Sequence, residues 1–219
     1  MESREIWERL EKQLQIHAPD LAAKLRPSLN ESTLIECEER LRLRLPEDVR
    51  FAYLRHDGCT GSPSWLDLTL LGQFQWCSLQ GMVDDWRDIC EPFEGYTTDS
   101  VCYFDESDPR WETAPIRPFS QLIPDKWIPI GVGDGSTIYI DLIPGLAGTT
   151  GQIIGQFFHA GQLNVWLIAP SLNAYLQDLS VALESGAAKV LVHPDTQRQY
   201  WGNPATKEEF RAKGYAEVY

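Results

Sequence analysis

The sequence predicts an α+β fold, an antiparallel sheet built as a meander with helices packed on one side. Three observations carry that prediction. From Trp127 to Ala169, β-branched and aromatic runs alternate with glycine-rich breaks, the signature of sequential strands joined by turns. The first half of the chain instead repeats apolar residues at helical spacing. Helices therefore precede the strands as a block and do not alternate with them, which favours α+β over a parallel α/β sheet.

Taken in order, Ser3 is placed to cap a helix whose stripe is Ile6, Trp7, Leu10 and Leu14, ending before Pro19, with Leu21 and Leu25 on a further short turn. Asn30 reads as the N-cap of a second helix presenting Leu34, Cys37 and Leu41. A third opens at Pro46-Glu47-Asp48, buries Val49, Ala52 and Tyr53, and stops at His56-Asp57-Gly58. Trp65 to Leu71 alternates as a strand would, with Leu66, Leu68 and Leu70 as the core face. After the break at Gly72, Ser78 caps a helix running to about Cys90.

Residues 91–121 lose all periodicity. Four prolines, scattered aromatics and a run of acids predict a long irregular excursion, longer than a connector requires. The meander follows. Trp127 to Gly131 and Thr137 to Leu142 pair across Gly133-Asp134-Gly135, where a positive φ costs little. Ile153 to Phe158 and Val165 to Ala169 continue it. Ser171 caps a last core helix through Leu172, Tyr175, Leu176, Leu179 and Leu183, closed by Gly186. Beyond it come a short strand at Val190 to Val192, a turn at Tyr200-Trp201-Gly202, and a capping box at Thr206 to Glu209 opening a terminal helix.

The net charge of −13 disfavours nucleic acid and anionic membranes and suits a basic protein partner. Between Asp84 and Glu112, ten acids stand against two arginines, so this segment carries much of the charge. Five cysteines without a CxxC pair read as reduced thiols in a cytoplasm. The charged start, Met1-Glu-Ser-Arg-Glu, leads into a helix and not into a secretory signal, and no apolar run is long enough to span a bilayer.

Reactive constellations are weak. Gly131, Gly133 and Gly135 lack the dinucleotide spacing and precede a strand, so no helix dipole awaits a phosphate. Asp134 and Asp141 offer a carboxylate pair for a metal-dependent hydrolase, yet they stand at a turn and at a strand end; the plainer reading has Asp134 bonding its own turn amides and Asp141 capping a strand end or facing a groove. His17, His56, His159 and His193 show no zinc spacing. Cys59 beside His56 is close in sequence only. The expectation is therefore no catalytic residue, no metal and no cofactor. Trp76, Trp86, Trp127 and Trp166 fall at core positions, whereas Trp111, between Arg110 and Glu112, suits a surface anchor.

The order Leu45-Pro46-Glu47-Asp48, Trp127-Ile-Pro-Ile-Gly, Gly133-Asp134-Gly135, Asp141-Leu142, Pro144-Gly145, Gly151-Gln152 and Ala169-Pro-Ser-Leu172 resembles the SUKH superfamily, in the subgroup of the fungal cell-wall synthesis regulator and its bacterial relatives. It spans roughly residues 28–185. Pro46, Asp48, Pro129, Gly133, Gly135, Gly151 and Gln152 match its pattern, several as structural positions. The resemblance implies an N-terminal helical extension at 1–27, an α+β domain at 28–186 carrying the acidic insert, and an added C-terminal segment at 187–219. It also implies a non-enzymatic immunity protein that neutralises a toxin domain, for instance a nuclease, with a cell-wall regulator or scaffold as the alternative. The residues expected to meet a basic partner are Trp127, Asp134 and Asp141 at the meander, and Asp105, Glu106, Asp108 and Trp111 on the excursion.

Overall fold

The computed structural model describes residues 2–61, 68–72, 74–93, 114–117, 124–133, 136–159, 162–197, 199–202 and 217–218. Helices α1 (Ser3–His17), α2 (Pro19–Lys24), α3 (Glu31–Leu41) and α4 (Glu47–Arg55) lead. Strand β1 (Gln75–Trp76) and helix α5 (Leu79–Phe93) follow. Then come β2 (Trp127–Gly133), β3 (Ser136–Asp141), β4 (Gln152–His159), β5 (Gln162–Ala169), helix α6 (Leu172–Ser185), β6 (Lys189–Val192), β7 (Gln199–Gly202) and β8 (Glu217–Val218).

The main sheet is antiparallel in the order β1-β2-β3-β4-β5-β8, and β6-β7 form a separate ribbon. The expected meander is its centre. Gly133 pairs with Ser136, so the first hairpin closes across two residues as the glycine spacing required; Asp134 and Gly135 themselves lie outside the described residues. Pro129 is accommodated by a bulge between Pro129 and Gly131, on a part of β2 that β1 does not cover.

The two sheet faces bury different things. Ile128, Ile130, Ile138, Ile140, Ile153 and Ile168 point into one continuous core with the helices. Trp127, Tyr139, Ile154 and Val165 point the other way, into a small cluster closed by Ile116. Gly155 marks a close approach on the helical face. A Cβ there would sit 2.5 Å from the Trp166 ring, which crosses the strand at that point.

Helix α1 lies in the heart of this core. Trp7 is fully buried and stacks on Trp76 with ring centroids 5.7 Å apart. It runs in the same direction as α6, since Ser3 meets Asn173 near their starts while Arg9 and Gln13 both bond Glu184 near the end of α6. Asn30 and Ser171 cap α3 and α6 through Thr33 and Ala174, and Ser78 accepts from Gly81 at the start of α5, all at the expected positions.

Three local expectations change. Ser3 is the first helical residue and not the cap; Glu2 holds that place, and the Ser3 hydroxyl accepts from Asn173. The described part of the 65–71 segment is no strand: Leu68, Thr69, Leu70 and Leu71 are all buried around a turn with bridges Thr69–Gly72 and Leu71–Phe74. Tyr200-Trp201-Gly202 is strand and not turn, because Trp201 pairs with Val190 and sends its indole N–H to the Thr69 carbonyl. Trp65, Leu66 and the capping box at Thr206 lie outside the described residues.

Candidate functional site

The strand register brings Trp127, Asp141 and Gln152 into one row at the end of the meander, on the face away from the helices. Asp141 is fully buried. Its Oδ1 accepts from the Ile143 amide at 3.0 Å and its Oδ2 from Gln152 Nε2 at 2.9 Å. The turn Asp141-Leu142-Ile143 is thus an aspartate turn at the strand end. Burial raises the carboxyl above its ordinary range, and the Gln152 and Ile143 donors offset part of that rise, with smaller help from the nearby Trp127 indole and Arg117. The Trp127 N–H is buried without a hydrogen bond of normal geometry, and its ring lies 5.5 Å from that of Tyr139.

Gln152 is suited to this place because its amide both donates and accepts. Nε2 donates also to the Pro115 carbonyl at 2.7 Å, and Oε1 accepts from the Thr149 amide at 3.1 Å. One buried side chain therefore ties the carboxylate, the loop 142–151 and the segment 114–117 together.

That segment straps the loop. The Gly145 amide donates to Pro115 O at 2.9 Å and the Ala147 amide to Ala114 O at 3.3 Å, while Arg117 Nε donates to Pro144 O at 3.1 Å. A Cβ at Gly148 would lie 2.2 Å from the Pro115 carbonyl oxygen, so only glycine admits this approach. The Gly151 amide returns to the Asp141 carbonyl at 2.8 Å, and Pro46 packs under Gly151. Every turn of the loop is fixed, and its tip carries Leu146, 84% exposed.

Of the residues singled out from sequence, Trp127, Asp141, Gln152 and Gly151 converge here. Pro46 supports them from the N-cap of α4, and Pro129 and Gly133 shape β2. Asp48 works elsewhere: its Oδ2 accepts from the Asn173 amide at 3.0 Å and joins α4 to α6. Asp105, Glu106, Asp108, Trp111, Asp134 and Gly135 lie outside the described residues.

Reactive chemistry finds little footing among the described residues. They contain no group of three metal-capable side chains. Asp141 has no second carboxylate bonded to it, and its bonded partners are donors. Burial pushes the Cys59 thiol up to about 12, which leaves it a poor nucleophile, and His56 is engaged by the Arg26 carbonyl and Glu11. A shallow groove of about 520 Å3 runs beside α3 past Ile35, Leu43 and Arg42. Its floor is Arg50, paired with Glu38 and Glu31, so its charge is answered from within the fold. No described helix is long and apolar enough to cross a membrane.

No curated protein matches this chain. The SMI1 / KNR4 family (SUKH-1) matches it over residues 28–178, which takes in α3, α4, the meander, the strapped loop and half of α6. With more than two thirds of its length matched, the chain belongs to the SMI1 / KNR4 family (SUKH-1).

Proposed function

We propose that this chain is a non-enzymatic binding module that acts in the cytoplasm as an immunity protein, capturing a basic toxin domain such as a nuclease and blocking its active site. The observation that carries the reading is the use made of Asp141. Both oxygens of this buried carboxylate are engaged by the Ile143 amide and by Gln152, the side chain that ties the loop to the 114–117 segment, and none of these donors is a group that acid–base or metal chemistry would pair with it. Among the described residues, the polar machinery at the end of the meander fixes a shape and presents no reactive group.

The net charge of −13 supplies the second half of the reading, since it attracts a basic partner and speeds encounter. Asp105, Glu106, Asp108 and Trp111 are the residues that would meet the partner on the excursion, with Asp134 at the hairpin. Trp127 and Asp141 would contribute from beneath, by holding the loop between β3 and β4. In this view the insert at 91–121 and the additions at 1–27 and 187–219 adapt a common domain to one partner.

The test is affinity capture of the tagged protein from lysate of its own cells at low and high salt. One basic protein retained at low salt and shed at high salt is expected. Reversing Asp105, Glu106 and Asp108 to lysine should slow its association and flatten the salt dependence. Recovery of nothing at either salt, from cells shown to make the tagged chain, would count against the reading.

A further inference from the structure

We propose that β8 is an edge guard: it occupies the outer side of β5, and without it β5 pairs with the β5 of a second copy of this chain. The inference goes beyond the binding reading and does not depend on it. The outermost strand of a sheet carries unpaired amides and carbonyls that can template another chain, and proteins blunt such edges with short strands, proline, bulges or charge. The two sides of this sheet are treated differently.

On one side the outermost strand is β1, only two residues long. Where β1 does not reach, β2 carries Pro129 and a bulge. Strand β5 has no such protection along most of its length. Its eight residues, Gln-Leu-Asn-Val-Trp-Leu-Ile-Ala, include neither a charge nor a proline. From Gln162 to Leu167 it pairs with β4 without interruption, and the register shift between Ile153 and Ile154 falls past that stretch. An extended, uncharged run rich in β-branched and aromatic residues is the kind that joins strands between molecules.

Strand β8 is what meets this edge. Val218 pairs with Val165 and Glu217 with Trp166, antiparallel and at the centre of β5. A strand from another molecule cannot align along β5 while these two positions are taken. Because β8 belongs to the same chain, it reaches β5 at a smaller entropic cost than a second molecule would. The occupant of an opened edge follows from symmetry. Antiparallel pairing of two identical strands about a two-fold axis is self-complementary, so β5 of one copy fits β5 of another and the assembly closes as a dimer.

The experiment deletes residues 217–219 from the full chain and follows sedimentation velocity over a range of concentrations, with a thermal melt by circular dichroism. The mass of the deletion chain should rise with concentration to twice that of the wild type. Adding Asn164→Lys to the deletion should return it to the wild-type mass, because both pairing strands then carry a like charge. A deletion chain that sediments as the wild type at every concentration overturns the proposal. So does association that Asn164→Lys leaves in place, which is how aggregation of a chain unfolded by the deletion would behave. A wild-type chain that is already a dimer, and loses it on Asn164→Lys, would show β5 open to a second copy with β8 present, and the guard falls.

Discussion

Trp7 is a position where a single substitution should cost the fold several kcal/mol. The family match begins at residue 28, yet Ile6, Trp7, Leu10 and Leu14 of α1 are all buried in the same core as the sheet. Trp7 lies between Trp76 and His56, with ring centroids 5.7 and 5.5 Å away. Removing it opens a cavity between α1, α4 and β1 that these rings cannot close without leaving their own contacts. Trp7→Ala should therefore destabilise the protein by about 3–5 kcal/mol, a third or more of the total for a typical domain. Trp7→Phe separates packing from polarity. The Trp7 N–H is buried with no hydrogen-bond partner among the described residues, so phenylalanine loses ring volume while removing an unsatisfied donor that costs about 1–3 kcal/mol. The two nearly offset, and a net change within about 1 kcal/mol is expected. Urea unfolding followed by far-ultraviolet circular dichroism measures both without relying on tryptophan emission. A loss below about 1 kcal/mol for Trp7→Ala would show that α1 merely decorates the domain.

Gln152→Leu strands the Asp141 Oδ2, the Pro115 carbonyl and the Thr149 amide together. It should cost about 3–5 kcal/mol and make the 142–151 loop the first site of limited proteolysis; retention of the wild-type urea midpoint would refute it. Glu38→Gln removes the buried partner of Arg50 and leaves only the more exposed Glu31. A loss of about 3 kcal/mol is expected; because the introduced glutamine would still accept from the Leu45 amide, adding Arg50→Met should recover most of it, and a double variant no better than the single would exclude an ion-pair origin. For Asp141 the sign follows from its raised folded value. Between the ordinary carboxylate range and that value the folded state holds more protons than the unfolded one, so rising pH removes stability. The stability of the wild type minus that of Asp141→Asn should therefore fall as pH rises through this window, by about 1.4 kcal/mol for each unit of elevation, and then level off. A difference that grows with pH would mean that the carboxylate is stabilised by an opposite charge.

The meander was legible because Ile138, Ile140 and Ile153 alternate with residues of the opposite face, and because Gly133 and Ser136 leave room only for a two-residue turn. Asn30 and Ser171 were legible as caps for a similarly local reason. What failed needed information from far along the chain. Leu68 to Leu71 are buried on every side, so their alternation carried no facing. Trp201 looked like part of a turn until Val190 and the Thr69 carbonyl supplied its partners. The role of Gln152 depends on Pro115, 37 residues earlier in a segment without periodicity. Spacing could mark Asp141 as a strand-end cap; it could not reveal that both carboxylate oxygens would be used.

A buried carboxylate with no cation bonded to it among the described residues is an expensive way to end a strand, and a threonine or an asparagine could cap the same turn at less desolvation. Its presence makes physical sense if the loop it fixes must be rigid before a partner arrives. Ordering a free loop of this length only on binding would cost about 10 kcal/mol or more at 1–2 kcal/mol per residue, comparable with the whole free energy of a nanomolar complex, about 12 kcal/mol. Folding the loop in advance moves that cost into the stability of the domain, which the large shared core of α1, α6 and the sheet can bear. The cost of burying Asp141 and the fixed path of the loop are then two parts of one arrangement, in which the polar row beneath the loop sets its shape in advance.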